Sequence, residues 1–128
     1  MEHSILIILF ALLQYLFFSI KVGSTRGKFN VNAPQTTGNE VWERYYRVQQ
    51  NTMEQLVIYI PGLIIFTLYV SEIWALVPGI LFILGRQIYF STYVKDPKSR
   101  APGMMLTIIS NAILIIGSII ALALKYIL

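Results

Sequence analysis

Four apolar stretches alternate with polar ones along this chain: Ser4–Ile20, Leu56–Val70, Ile73–Gly85 and Met104–Leu124. As helices, the first and last are long enough to cross a hydrocarbon core of about 30 Å. The middle two reach that length only if their polar ends, Glu40–Gln55 and Arg86–Tyr93, continue the helix. The pattern therefore predicts helices over about 3–22, 39–70, 73–95 and 103–126. Thr36-Thr37-Gly38-Asn39 offers N-caps for the second helix, and Pro61 is expected to kink it. Ser71-Glu72 is so short a turn that helices two and three must be antiparallel neighbours. The fold expected is all-α: an integral membrane four-helix bundle, one domain over residues 1–128.

Composition agrees. The chain is 56% hydrophobic and 12% charged, with a mean hydropathy of +0.66, which is membrane rather than soluble composition. The run Ser4–Ile20 is read as a retained helix and not as a signal peptide. It follows Glu2, lacks a basic n-region and has no small-residue cleavage site before Lys21. With no cysteine, disulfides, thiolate metal sites and cysteine nucleophiles are excluded. The lone His3 excludes a bis-histidine haem. No basic run is interleaved with aromatics, so nucleic acid is not an expected partner.

Charge is placed unevenly. Lys21, Arg26 and Lys28 lie in the first loop, and Lys95, Lys98 and Arg100 in the third. Both loops are expected to face the cytoplasm, with the termini opposite. The polar start of helix two and the polar end of helix three then meet at one membrane face. At 100° per residue, Glu43, Arg47, Asn51 and Glu54 share an arc of about 80°. Arg86, Tyr89 and Tyr93 share a face of helix three. Arg86 is expected to pair with Glu54 or Glu43 across helices.

Taken singly, these residues have ordinary readings. Arg100 fits the positive-inside bias, and the tyrosines fit an interfacial aromatic belt. Taken together, arginines, a glutamate, an asparagine and tyrosines suit a small zwitterion with more than one carboxylate. The chain supplies no nucleophile of its own but can activate an incoming one. A thiol fits: its pKa is about 8.5, and a guanidinium lowering this by about two units contributes roughly 2.7 kcal/mol of bias to the thiolate.

The run Glu43-Arg44-Tyr45-Tyr46-Arg47-Val48-Gln49-Gln50-Asn51-Thr52-Met53-Glu54 resembles the E-R-x-x-R-x-Q-x-N-x-x-E signature of the membrane-associated proteins in eicosanoid and glutathione metabolism (MAPEG). Arg86, Tyr89 and Tyr93, followed by Arg100-Ala101-Pro102, are similar to the family's second signature. The resemblance implies a homotrimer that binds glutathione as co-substrate between subunits, open to the cytoplasm, and needs no metal. By position, Arg47, Asn51 and Glu54 would hold the charged ends of glutathione, assisted by Arg26 and Gln49. Tyr89 and Tyr93 would line the pocket, and Arg100 would stabilise the thiolate.

The activity implied is a glutathione transferase or peroxidase in detoxification, acting on a lipophilic electrophile or lipid hydroperoxide that arrives through membrane lipid near Tyr46. A bacterial inner membrane is expected over endoplasmic reticulum. The chain departs from leukotriene-type members at Gln55, where they have tyrosine, and at the single Arg26, where some have a pair. The alternative within the family is a non-catalytic lipid- or glutathione-binding protein. A proton-coupled exporter needs a membrane-embedded carboxylate, and the first helix offers only Gln14.

Overall fold

A computed structural model describes all 128 residues. It contains four long helices and no strand: α1 (Glu2–Ser24), α2 (Glu40–Tyr69), α3 (Glu72–Tyr93) and α4 (Ala101–Ile127). One 3₁₀ turn, Pro97–Ser99, precedes α4. All four helices are long and apolar enough to cross a membrane.

Local chemistry sets the helix starts. Asn39 caps α2, its Oδ1 accepting from Trp42 N at 2.9 Å. Glu43 reaches back so that Gly38 N donates to its Oε2 at 3.3 Å. One free N–H of the first turn, and that of Gly38 just ahead of the cap, are satisfied in this way. Ser71 caps α3 by accepting from Trp74 N. Pro102 falls in the first turn of α4, where a missing N–H costs nothing. Pro61 and Pro78 lie inside helices that run on through them.

The core is built where α2, α3 and α4 meet, with α1 packed against α2 and α3. Tyr59 stacks on Phe82 at 3.9 Å between ring centroids, and its hydroxyl donates to Gly79 O at 3.0 Å. Ala11, Leu63, Ala75 and Leu114 complete the centre, fully buried. The outward residues are equally apolar: Leu13, Ile20, Val57, Leu68, Ile73, Trp74 and Ile119 are all exposed. Apolar outside as well as inside is the pattern of helices solvated by lipid.

Without water to compete, polar side chains join the helices. Ser4 and Thr67 share a hydrogen bond of 2.6 Å between α1 and α2. Ser110 of α4 donates to Pro78 O at 2.6 Å. Asn111 of α4 donates to Gln55 Oε1 at 3.0 Å. Small residues bring backbones close. A Cβ placed on Gly103 would lie 2.5 Å from Tyr89 N and 2.6 Å from Tyr89 Cα. That contact fixes the end of α3 carrying the tyrosines against the start of α4.

Candidate anion-binding pocket at the basic end of the bundle

The closeness of α3 and α4 there leaves a cavity of about 630 Å³ beside α2. Arg47, Asn51, Tyr89, Tyr93, Arg100 and Met104 line it. Five of the eight residues singled out in the sequence therefore meet in one place. Tyr89 and Tyr93 stack almost parallel, 6° apart with centroids at 5.2 Å, forming a flat aromatic wall. Arg47 and Arg100 are exposed and bring two guanidinium groups to the lining. No carboxylate lines the cavity. A pocket of this charge attracts anions and suits bidentate grip of carboxylates. Arg100 also sits at the N-terminus of the 27-residue α4, whose dipole adds positive potential there.

Arg86 lies beneath this wall and is fully buried. Its guanidinium is 4.5 Å from the Tyr89 ring centroid. Nη1 donates to Asn51 Oδ1 at 2.7 Å, and Nη2 lies 3.9 Å from Met104 Sδ. The expected ion pair with Glu54 or Glu43 does not form. Glu43 is turned back to the α2 N-terminus, and Glu54 is exposed on the same arc of α2 as Arg47 and makes no ion pair. Asn51, at the edge of the helix's buried face, is the polar side chain Arg86 reaches. Arg86 and Met104 are thus pocket elements that the sequence reading did not assign. The spacing of Arg86 with Tyr89 and Tyr93 was the available signal.

Three residues lie elsewhere. Gln49 donates to Ser19 Oγ of α1 at 3.1 Å. Arg26 packs over the Trp42 ring at 4.5 Å and donates to Gln35 O at 2.7 Å. Trp42 is itself pinned by Nε1 donating to Val22 O at 3.1 Å. Gln49 points about 160° around α2 from both Arg47 and Asn51, so these side chains of one chain cannot close on one ligand. Glu54 lines neither the cavity nor the neighbouring cleft.

That cleft, about 360 Å³, shares Arg47 and Tyr93 with the cavity and extends it toward Thr36, Glu43 and Arg44. Arg44 ties the start of α2 to the end of α3. Its Nη1 donates to Val94 O at 3.1 Å and Lys95 O at 3.3 Å, at the C-terminal end of α3. Arg44→Ala removes the donor for both carbonyls and is expected to destabilise the turn that precedes Arg100 by about 1–3 kcal/mol. Hydrogen exchange at Asp96, Lys98 and Ser99 should then accelerate well beyond that of α2 amides. Unchanged protection in the turn would show that Arg44 does not hold it.

No group of three or more histidine, cysteine, aspartate or glutamate side chains converges anywhere in the fold. Four helices apolar enough to span a membrane and an arginine-tyrosine pocket at one end define an integral membrane protein with an electropositive cavity. Comparison with known proteins makes the assignment more specific: the MAPEG family model matches residues 4–120, and the chain belongs to that family. It is 39% identical to an uncharacterised protein of Synechocystis sp., over 91% of this chain and 85% of that one. It is 35% identical to human microsomal glutathione S-transferase 2 over 74% of this chain, spanning 65% of that protein's length. Bovine leukotriene C4 synthase is 32% identical over 72% of this chain and 61% of its own.

Proposed function

We propose that this chain is a glutathione-dependent membrane transferase whose pocket binds glutathione and holds its sulfur as the thiolate. The observation that carries the reading is the convergence of Arg47, Arg100, Asn51 and the Tyr89–Tyr93 wall on one cavity without a carboxylate. Arg47 and Asn51 grip the ligand's carboxylates, and Arg100 stabilises the sulfur anion. Family membership, and relatives named as glutathione transferase and leukotriene synthase, support the ligand.

The chemistry balances without a protein nucleophile. The thiolate attacks an electrophilic carbon, an S–C bond forms, and the leaving group departs with its electron pair. With a lipid hydroperoxide, sulfur takes the terminal oxygen as the O–O bond breaks, and the alkoxide picks up a proton. A second glutathione then displaces water from the oxidised sulfur, giving the disulfide. The lipophilic partner enters from the bilayer near Tyr46.

The site is completed between copies, in a homotrimer. Arg26 and Gln49 lie on the far side of α2 from the cavity and can serve only a neighbour's ligand. Glu54 supports the same arrangement. It is exposed among Met53, Val57 and Ile58, all exposed as well. A carboxylate facing lipid there costs about 3 kcal/mol. A neighbouring copy and the ammonium end of a glutathione would relieve that cost. The positive-inside bias of the basic loops supports a pocket on the cytoplasmic side, and the similarity to a Synechocystis protein supports a bacterial inner membrane.

Thiolate absorption in the ultraviolet on adding glutathione to detergent-purified protein is the test. The native chain gives a saturable band. Arg100→Ala loses the band and keeps binding, while Glu54→Gln weakens binding itself, by about tenfold or more for a lost charged contact. Binding without any band in the native chain would favour a non-catalytic glutathione-binding protein. Folded protein that does not bind glutathione would sink the reading.

A further inference from the structure

Arg26 stands just beyond α1, in the loop that leads to α2, and it is held at several points. Its guanidinium carbon lies 4.5 Å from the centroid of the Trp42 ring. Its Nη1 donates to Gln35 O at 2.7 Å. Its backbone is fixed as well: Val31 N donates to Arg26 O at 3.0 Å, and Val31 is buried in one cluster with Trp42 and Val22.

Trp42 is itself fixed. It is fully buried, its Nε1 donates to Val22 O at 3.1 Å, and Tyr46 stacks on it at 5.6 Å and 18°. The end of α1, the first turn of α2 and the loop between them therefore converge on one indole ring.

The guanidinium keeps most of its donors. It has five N–H groups in one plane. Stacking on an aromatic face uses none of them, and Gln35 takes one. Arg26 forms no ion pair. Its Nε and Nη2 meet no protein acceptor and are not buried. These two atoms form one edge of the planar fork, the edge that grips a carboxylate by two parallel hydrogen bonds. Arg44, by contrast, spends Nη1 on two carbonyls and buries its Nε.

We propose that Trp42 is a positioning residue: with Gln35 O, it presents the open edge of Arg26 to a carboxylate of glutathione in the pocket of the neighbouring copy. This role rests on the between-copy glutathione pocket proposed above. Trp42, being fully buried, touches no ligand. It keeps Arg26 in the orientation that the ligand needs, so binding does not have to order a flexible side chain.

Equilibrium binding of glutathione to the full chain in detergent tests this, with tryptophan carrying one, two or three ring fluorines introduced at position 42. Fluorine draws electrons from the indole face and weakens its hold on a cation, while the shape of the ring is nearly unchanged. Affinity should fall stepwise, by about fivefold at three fluorines. The steps should vanish in Arg26→Ala, which starts from weaker binding. Trp42→Phe, which keeps an aromatic face, should retain affinity within about twofold, and Trp42→Leu should bind as weakly as Arg26→Ala. If Trp42→Leu does not fold, the fluorine series decides alone. Affinity indifferent to fluorine would mean that Trp42 only packs the loop; it overturns the proposal and leaves the glutathione pocket standing. Full affinity in Arg26→Ala does the same. A folded native chain that binds no glutathione would remove pocket and proposal together.

Discussion

Arg86→Met should give a protein that withstands heat at least as well as the native chain but binds glutathione about tenfold more weakly. The two effects have one cause. Arg86 is a fully buried cation with no acidic partner, only Asn51, a thioether and an aromatic face. Its Nε is buried and unpaired. Replacing buried charges by apolar side chains of similar volume is often neutral or stabilising, by about 1–4 kcal/mol. The binding loss follows from the contact with Asn51, which at 2.7 Å holds that amide at the pocket wall. It also follows from removing a positive charge beneath the tyrosines. Thermal unfolding in detergent and equilibrium binding of glutathione read the two effects separately. A large fall in melting temperature would make Arg86 a stability element. Undiminished glutathione binding would remove it from the pocket.

Gly103→Val should prevent the bundle from closing at its basic end. The added Cβ alone would lie 2.5 to 2.7 Å from Tyr89 N, Cα and Cβ. Backbone cannot rotate away as a side chain can, so α3 and α4 must separate. Overpacking of this kind costs about 1–3 kcal/mol and occasionally more, and valine at a backbone contact belongs at the upper end. Gly117→Ala is the contrast. Its new Cβ meets only the edge of the Phe66 ring, at 2.8 Å, and a ring can turn. Size-exclusion profiles and melting curves in detergent should show Gly103→Val lost or strongly destabilised and Gly117→Ala mildly affected. A Gly103→Val protein with native stability would mean that α3 and α4 do not touch as described.

The four helices were legible because a membrane helix writes its length directly into an apolar run. The cap Asn39 lies in the polar stretch that offered it, while Ser71, read only as part of a short turn, also caps α3. The pocket's arginines and tyrosines were legible because helical spacing put them on shared faces and both basic loops gathered at one end. Arg86 was harder. Its charge suggested an ion pair, and only three-dimensional packing shows that the carboxylates of Glu43 and Glu54 are turned elsewhere, leaving an amide within reach. Gly103 gave no signal beyond being small. The separation of Gln49 from Arg47 is contained in the helical angle, but a motif read as a line conceals it.

That separation on α2 has a genetic consequence under the between-copy reading. A chain that loses Arg100 silences the pocket it faces, while its Arg26 and Gln49 still complete the pocket of its neighbour. Harm is then counted by pairs of adjacent chains rather than by chains. An allele defective at Arg26 and another defective at Arg100 would rescue each other wherever the two products sit side by side in the right order, and neither would poison an assembly shared with intact chains.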